Sequence, residues 1–143
     1  MRVYVCFKLL GMLLMMFSLS MLTPLVVDVV FHEHVYLAFI AAFLITVITG
    51  FALWYPFRDY HYELRTRDGF FVVTFLWVVL SIFGAIPLWL NHYTNISFTD
   101  AAFESVSGIT TTGATVLTHL SDLPMAILYY RQQLQFLGGM GII

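Results

Sequence analysis

The sequence predicts an all-α membrane protein: three membrane-crossing helices, then a half-length helix ending in an irregular turn, then a last helix. Three observations carry that prediction. First, the 143 residues are 61% hydrophobic and only 10% charged, where soluble domains carry about 25% charge, and the mean hydropathy is +0.91. Second, three uncharged runs, residues 9–27, 35–57 and 69–90, meet or nearly meet the roughly 20 apolar residues that a helix needs to cross a hydrocarbon core. Third, a shorter helical pattern over residues 99–109 ends in the string GITTTGAT at residues 108–115.

The first run follows Arg2 and Lys8, which resemble the basic start of a signal peptide. It is longer than the roughly 7–15 residues of a signal-peptide core and lacks an A-x-A cleavage site, so it reads as a membrane helix. Pro24 and Pro87 fall near the predicted ends of their helices, where a missing N–H is tolerated. Arg2, Lys8, Arg58, Arg65 and Arg67 flank the runs so that alternating helices place all five at one end. The positive-inside rule makes that end cytoplasmic, with the N-terminus inside. Asp28, Glu33, Asp100, Glu104 and Asp122 go to the other end, an acidic outer face that would concentrate cations. Trp54, Tyr55, Trp89 and Tyr93 sit at predicted helix ends, as interfacial aromatics do.

The short helix is the informative one. Ser97 and Asp100 have capping-box spacing, which starts it near Thr99. Gly108 and the β-branched series Ile109, Thr110, Thr111, Thr112 favour leaving helical geometry for an extended path. At about 1.5 Å per residue the helix spans roughly half of a core about 30 Å thick. Irregular backbone at that depth is tolerated only where protein buries it or where it lines a water-filled path. The C-terminal end of a half-helix entering from outside favours a cation, and successive carbonyls can replace an ion's hydration shell. Gly113 supplies a positive φ or a close backbone approach. Residues 116–123 then climb back out, and Ser121, Asp122 and Pro124 offer cap residues for a last helix.

Other functions find little support. The net charge is −2 and the six basic residues are scattered, which excludes nucleic acid as a partner. Cys6 is the single cysteine, so no internal disulfide forms. Ser105 and Ser107 have no histidine in a triad arrangement and no Gly-rich phosphate cradle is present, so the chain does not read as an enzyme. His32, Glu33 and His34 lack a third well-spaced ligand and read as a solvated loop, as do His61, His92 and His119. Met12, Met15, Met16 and Met21 read as lipid or packing contacts.

Three strings together, LRTRDGF at residues 64–70, DAAFESVSGITTTGAT at 100–115, and LPMAILYYR at 123–131 running to GGMGII at 138–143, resemble the Trk/Ktr/HKT superfamily of potassium transporters, most closely its bacterial Trk branch. The resemblance covers essentially the whole chain. It implies four helix–pore–helix repeats around one ion path, of which residues 69–143 resemble the first, with its last helix cut short. Residues 1–57 resemble the branch's leading helix pair and residues 58–68 a cytoplasmic loop. It also implies potassium uptake across the inner membrane, a homodimeric full-length protein and a cytosolic nucleotide-binding regulatory subunit that contacts the loop.

On this resemblance Gly113 matches the family's filter glycine. Thr111 and Thr112 are the first candidates for backbone-carbonyl ligands of potassium, with Thr110 and Gly113 beside them and Thr115 as the loop's exit. Arg131, a charge inside the last helix, reads either as an interface anchor or as an ion pair with Glu104 that braces the filter. Gln132, Gln133 and Gln135 read as interhelical hydrogen-bonding groups, and Gly138, Gly139 and Gly141 as points of close helix approach or of bending. Two other functions fit a short chain: a channel subunit that assembles as a homotetramer, and a non-conducting membrane adaptor.

Overall fold

A computed structural model describes residues 3–61, 63 and 65–142, and every regular element among them is helical. The helices are α1 (Val3–Ser20), α2 (Thr23–Phe31), α3 (Tyr36–Trp54), α4 (Thr66–Leu90), α5 (Phe98–Ile109) and α6 (Met125–Ile142), with 3-10 turns at Tyr55–Phe57 and Leu120–Asp122. The sequence readings placed on Arg2, Leu64 and Ile143 lie outside the described residues. Among the described residues, three stretches are long and apolar enough to cross a membrane: Val3–Phe31, Tyr36–Phe57 and Thr66–Leu90, of 29, 22 and 25 residues. The 18-residue α6 contains Arg131, Gln132, Gln133 and Gln135 and is not one of them.

The first span is longer than its uncharged run and is broken. Lys8 does not bound it, because its ammonium donates to the carbonyls of Arg58 (2.8 Å) and Tyr60 (3.1 Å) and so is satisfied within the bundle end. Asp28 does not bound it either. Its side chain is buried and accepts the Val35 N–H (2.9 Å), while its carbonyl accepts the Glu33 N–H, closing the turn into α3. The break falls at Met21 and Leu22. Pro24 has no N–H to give the Ser20 carbonyl and its ring crowds that carbonyl, so the helix cannot continue through. The freed oxygen accepts instead from the Thr23 hydroxyl and from Gln133 of α6, each at 2.8 Å. α4 begins at Thr66, before the predicted residue 69, with Asp68 in its first turn, where an acid suits the helix dipole.

α1 packs chiefly on α3, and α4 and α6 chiefly on α5. Gly11 and Gly50 bring α1 and α3 together: a Cβ on Gly11 would stand 2.6 Å from the Gly50 carbonyl oxygen. At the centre lies Tyr130, fully buried, edge-on to Phe39 of α3 with ring centroids 5.4 Å apart. Its hydroxyl donates to the Gly84 carbonyl of α4 (2.8 Å), which satisfies the one polar atom of an otherwise apolar contact. Tyr130 thereby locks α6 against the two spans that flank it.

Candidate functional site

The candidate site is the turn that ends α5 and the limb that follows it. Asn91 prepares the entry: buried at the end of α4, it donates to the carbonyls of Pro87 and Leu88 and accepts the N–H groups of Tyr93 and Thr94. Ser97 then caps α5, accepting the Asp100 N–H at 3.2 Å.

The exit from α5 differs from the extended path that the β-branched series predicts. Thr111 donates its N–H to the Gly108 carbonyl and Thr112 donates to the Ser107 carbonyl, both at 2.9 Å. That pair of bonds is a Schellman closure, which requires a left-handed residue at the first position past the cap. The position is Thr111, at φ +57°, rather than a glycine. β-branched residues seldom take that conformation, and holding one there costs about 1–3 kcal/mol. The closure is reinforced by hydroxyls. Thr110 Oγ1 donates to the Val106 carbonyl and lies 2.8 Å from Thr112 Oγ1, and Ser107 Oγ donates to the Ala114 carbonyl at 2.6 Å. Gly113 has φ +78°, the positive value foreseen for it. Only from Thr112 onward does the chain run without helical turns, to His119.

Among the described residues, no hydrogen bond is donated to the carbonyl oxygens of Thr110, Thr111, Thr112 or Gly113. All four residues are exposed. The arrangement therefore offers successive acceptors with no partner among those residues on a turn whose N–H groups are occupied, which is what a cation needs.

Behind the turn stands Glu104. Its side chain is 1% exposed, and both oxygens are used. Oε1 accepts from the Thr115 hydroxyl and from the N–H groups of Val116 (2.6 Å) and Leu117 (3.2 Å), and Oε2 accepts from Arg131 Nε at 3.1 Å. Of the two readings of Arg131, the structure places it in the ion pair. Thr115, foreseen as a mere exit, is one of the limb's anchors. Sequence reasoning missed that anchoring and the part played by Ser107. The usable signal was that a buried carboxylate demands donors, and the backbone N–H groups past the threonine string are the nearest supply.

α6 packs against the end of α5 at the site. A Cβ on Gly138 would lie 1.8 Å from the Ile109 carbonyl oxygen, so α6 and the end of α5 meet backbone to backbone there. Gly139 and Gly141 have only ordinary spacing, nothing nearer than 3.7 Å, and make no such approach. Gln133 links α6 to α1 as an interhelical hydrogen-bonding group.

Two further expectations need correction. The outer acidic face is smaller than five carboxylates: Asp28 and Glu104 are buried and bonded internally, and Glu33 accepts the N–H groups of Met125 and Ala126 at the start of α6. Asp122 alone of the five is exposed, with Asp100 and Glu33 half-buried. The same bonds take Glu33 out of the solvated loop in which its neighbours His32 and His34 lie exposed.

The family model described as TrkH, cation transport protein, matches residues 36–143. The Trk system potassium uptake protein TrkH of Halomonas elongata is 54% identical over 136 residues, covering 95% of this chain and 28% of that protein. The Trk system potassium uptake protein TrkG of Escherichia coli is 47% identical, over 93% of this chain and 27% of its own length. The crystal structure of the potassium transporter TrkH from Vibrio parahaemolyticus superposes with a TM-score of 0.95 at 43% identity, over 99% of this chain and 30% of that one. The chain thus spans under a third of the relatives it matches.

Proposed function

The chain belongs to the TrkH family of cation transport proteins, and on that premise we propose that it supplies the leading helix pair (residues 1–57), a cytoplasmic loop (58–68) and the first helix–pore-loop–helix repeat (69–143) of a potassium uptake protein in the bacterial inner membrane. Its N-terminus lies in the cytoplasm. α5 is the pore helix, residues 110–113 are one quarter of the selectivity filter, and α6 is the inner helix. Three equivalent segments complete the ring of carbonyls.

The observation that carries the reading is the turn of residues 110–113: exposed carbonyls with no partner among the described residues, N–H groups that are spent, and a helix C-terminus aimed at the same place. A potassium ion sheds water against these oxygens and moves inward down the electrical gradient. α5 contributes the partial negative charge of its C-terminal end. Arg131 would repel the ion if it stood alone, and its pairing with Glu104 removes that field. The relatives' names support potassium as the cargo. The full-length protein is a homodimer, and its cytosolic nucleotide-binding regulatory subunit contacts the Arg58–Asp68 region. Neither the homotetrameric channel nor the adaptor draws support from these relatives.

Expression of the complete protein in a strain lacking potassium uptake tests the reading. Growth at low potassium should be restored, and the rescue should fall by at least tenfold in uptake rate when Gly113 is replaced by alanine at equal protein abundance. Rescue indifferent to residues 110–113 would contradict it.

A further inference from the structure

We infer that Glu33, which belongs to the leading helix pair, is a positioning residue for the ion path and sets the height of α6 behind the filter. The inference rests on the filter reading given above. Glu33 sits between His32 and His34, which both take left-handed conformations, at φ 54° and 60°. Two such residues in one short connection are uncommon, and backbone of this kind persists only where its surroundings hold it. Here Asp28 does so, through the Val35 N–H and the Glu33 N–H. The turn aims the Glu33 carboxylate at the first N–H groups of α6: one oxygen accepts from Met125 and the other from Ala126 at 2.9 Å. The Glu33 carbonyl also accepts the Tyr93 hydroxyl (3.0 Å), which joins the same turn to the entry of α5.

The local sequence does not supply this cap. Asp122 lies in the 3-10 turn and Leu123 is extended, so α6 takes its capping carboxylate from a distant segment. The consequences run down the helix. Arg131 lies six residues beyond Met125, and it fixes Glu104, which anchors Thr115, Val116 and Leu117. Further along, Gly138 meets the Ile109 carbonyl at the base of the filter turn. Both contacts depend on the axial position of α6. A shift of α6 therefore moves both supports of the turn together.

The test compares Glu33→Ala, Glu33→Asp and Glu33→Gln in the complete protein, reading the potassium-over-sodium uptake ratio at measured membrane abundance. Glu33→Ala should lower the ratio by about three- to tenfold, the scale of a lost helix cap. Glu33→Gln, which keeps one acceptor at the same reach, should recover part of it. An unchanged ratio in Glu33→Ala at normal abundance would overturn the inference. Should that variant fail to reach the membrane, Glu33→Asp, one methylene short of both N–H groups, decides by the same two results. Gly113→Ala is measured beside them. If it too leaves the ratio unchanged, the filter reading fails; if only the Glu33 variants do, this inference fails alone.

Discussion

Thr111 and Gly113 take the same left-handed backbone for different reasons. The Schellman closure of α5 imposes it on Thr111, while Gly113 takes it just past that closure. The glycine was legible in the sequence, since a lone Gly in a threonine run marks a backbone that side chains disfavour. The conformation of Thr111 was not, because local preference argues against it and only the closing hydrogen bonds demand it. A Cβ on Gly113 would meet nothing nearer than Gln135 Nε2 at 3.8 Å, so the requirement is conformational and not spatial. Hence Gly113→Asn, which tolerates left-handed backbone, should keep more potassium selectivity than Gly113→Ala despite its larger side chain. Flux ratios for the two variants check this, and an order set by size would contradict it. Glu104 and Arg131 were legible as candidate partners, Arg131 being the only Lys or Arg after Arg67. The grip of Glu104 on the limb was not, since it joins a side chain to backbone groups that no pattern of residue types reports.

The number and order of the three long spans followed from the apolar runs, whereas helix ends and the break in the first span did not. Counting uncharged residues ends a span at Lys8 and Asp28, yet both are satisfied by carbonyl or N–H partners and lie within helices. Pro24 causes the break before it, but the donor from α6 that satisfies the freed Ser20 carbonyl is a long-range contact that sequence spacing does not encode. Removing that donor with Gln133→Leu leaves the Ser20 carbonyl to Thr23 alone and should cost about 1 kcal/mol in a reversible unfolding measurement. The glycines of α6 separate more sharply. Gly138→Ala drives a methyl into the Ile109 carbonyl and should destabilise by about 2 kcal/mol or more, while Gly139→Ala and Gly141→Ala should be nearly neutral. Thermal melts of the three variants in detergent distinguish a single close contact from a general glycine face.

Across the whole chain, the exposed threonine turn continues an exposed strip of α5 formed by Phe103 and Val106. That strip and residues 110–113 are exposed in a chain that spans under a third of the relatives it matches. One buried ion pair joins α5 to α6 beside the close approach of Gly138 to Ile109. Glu104→Ala and Arg131→Ala should each destabilise by about 3–5 kcal/mol through the charge left behind, and the double variant should lose clearly less than the sum. Additive losses would mean that the pair does not act as a unit. The most direct measurement of the central claim is rubidium anomalous diffraction from crystals of the complete protein. Density for the ion is predicted within coordination distance of the carbonyl oxygens of Thr110, Thr111, Thr112 and Gly113; an ordered turn with rubidium bound elsewhere on the pore axis and none at these oxygens would contradict it.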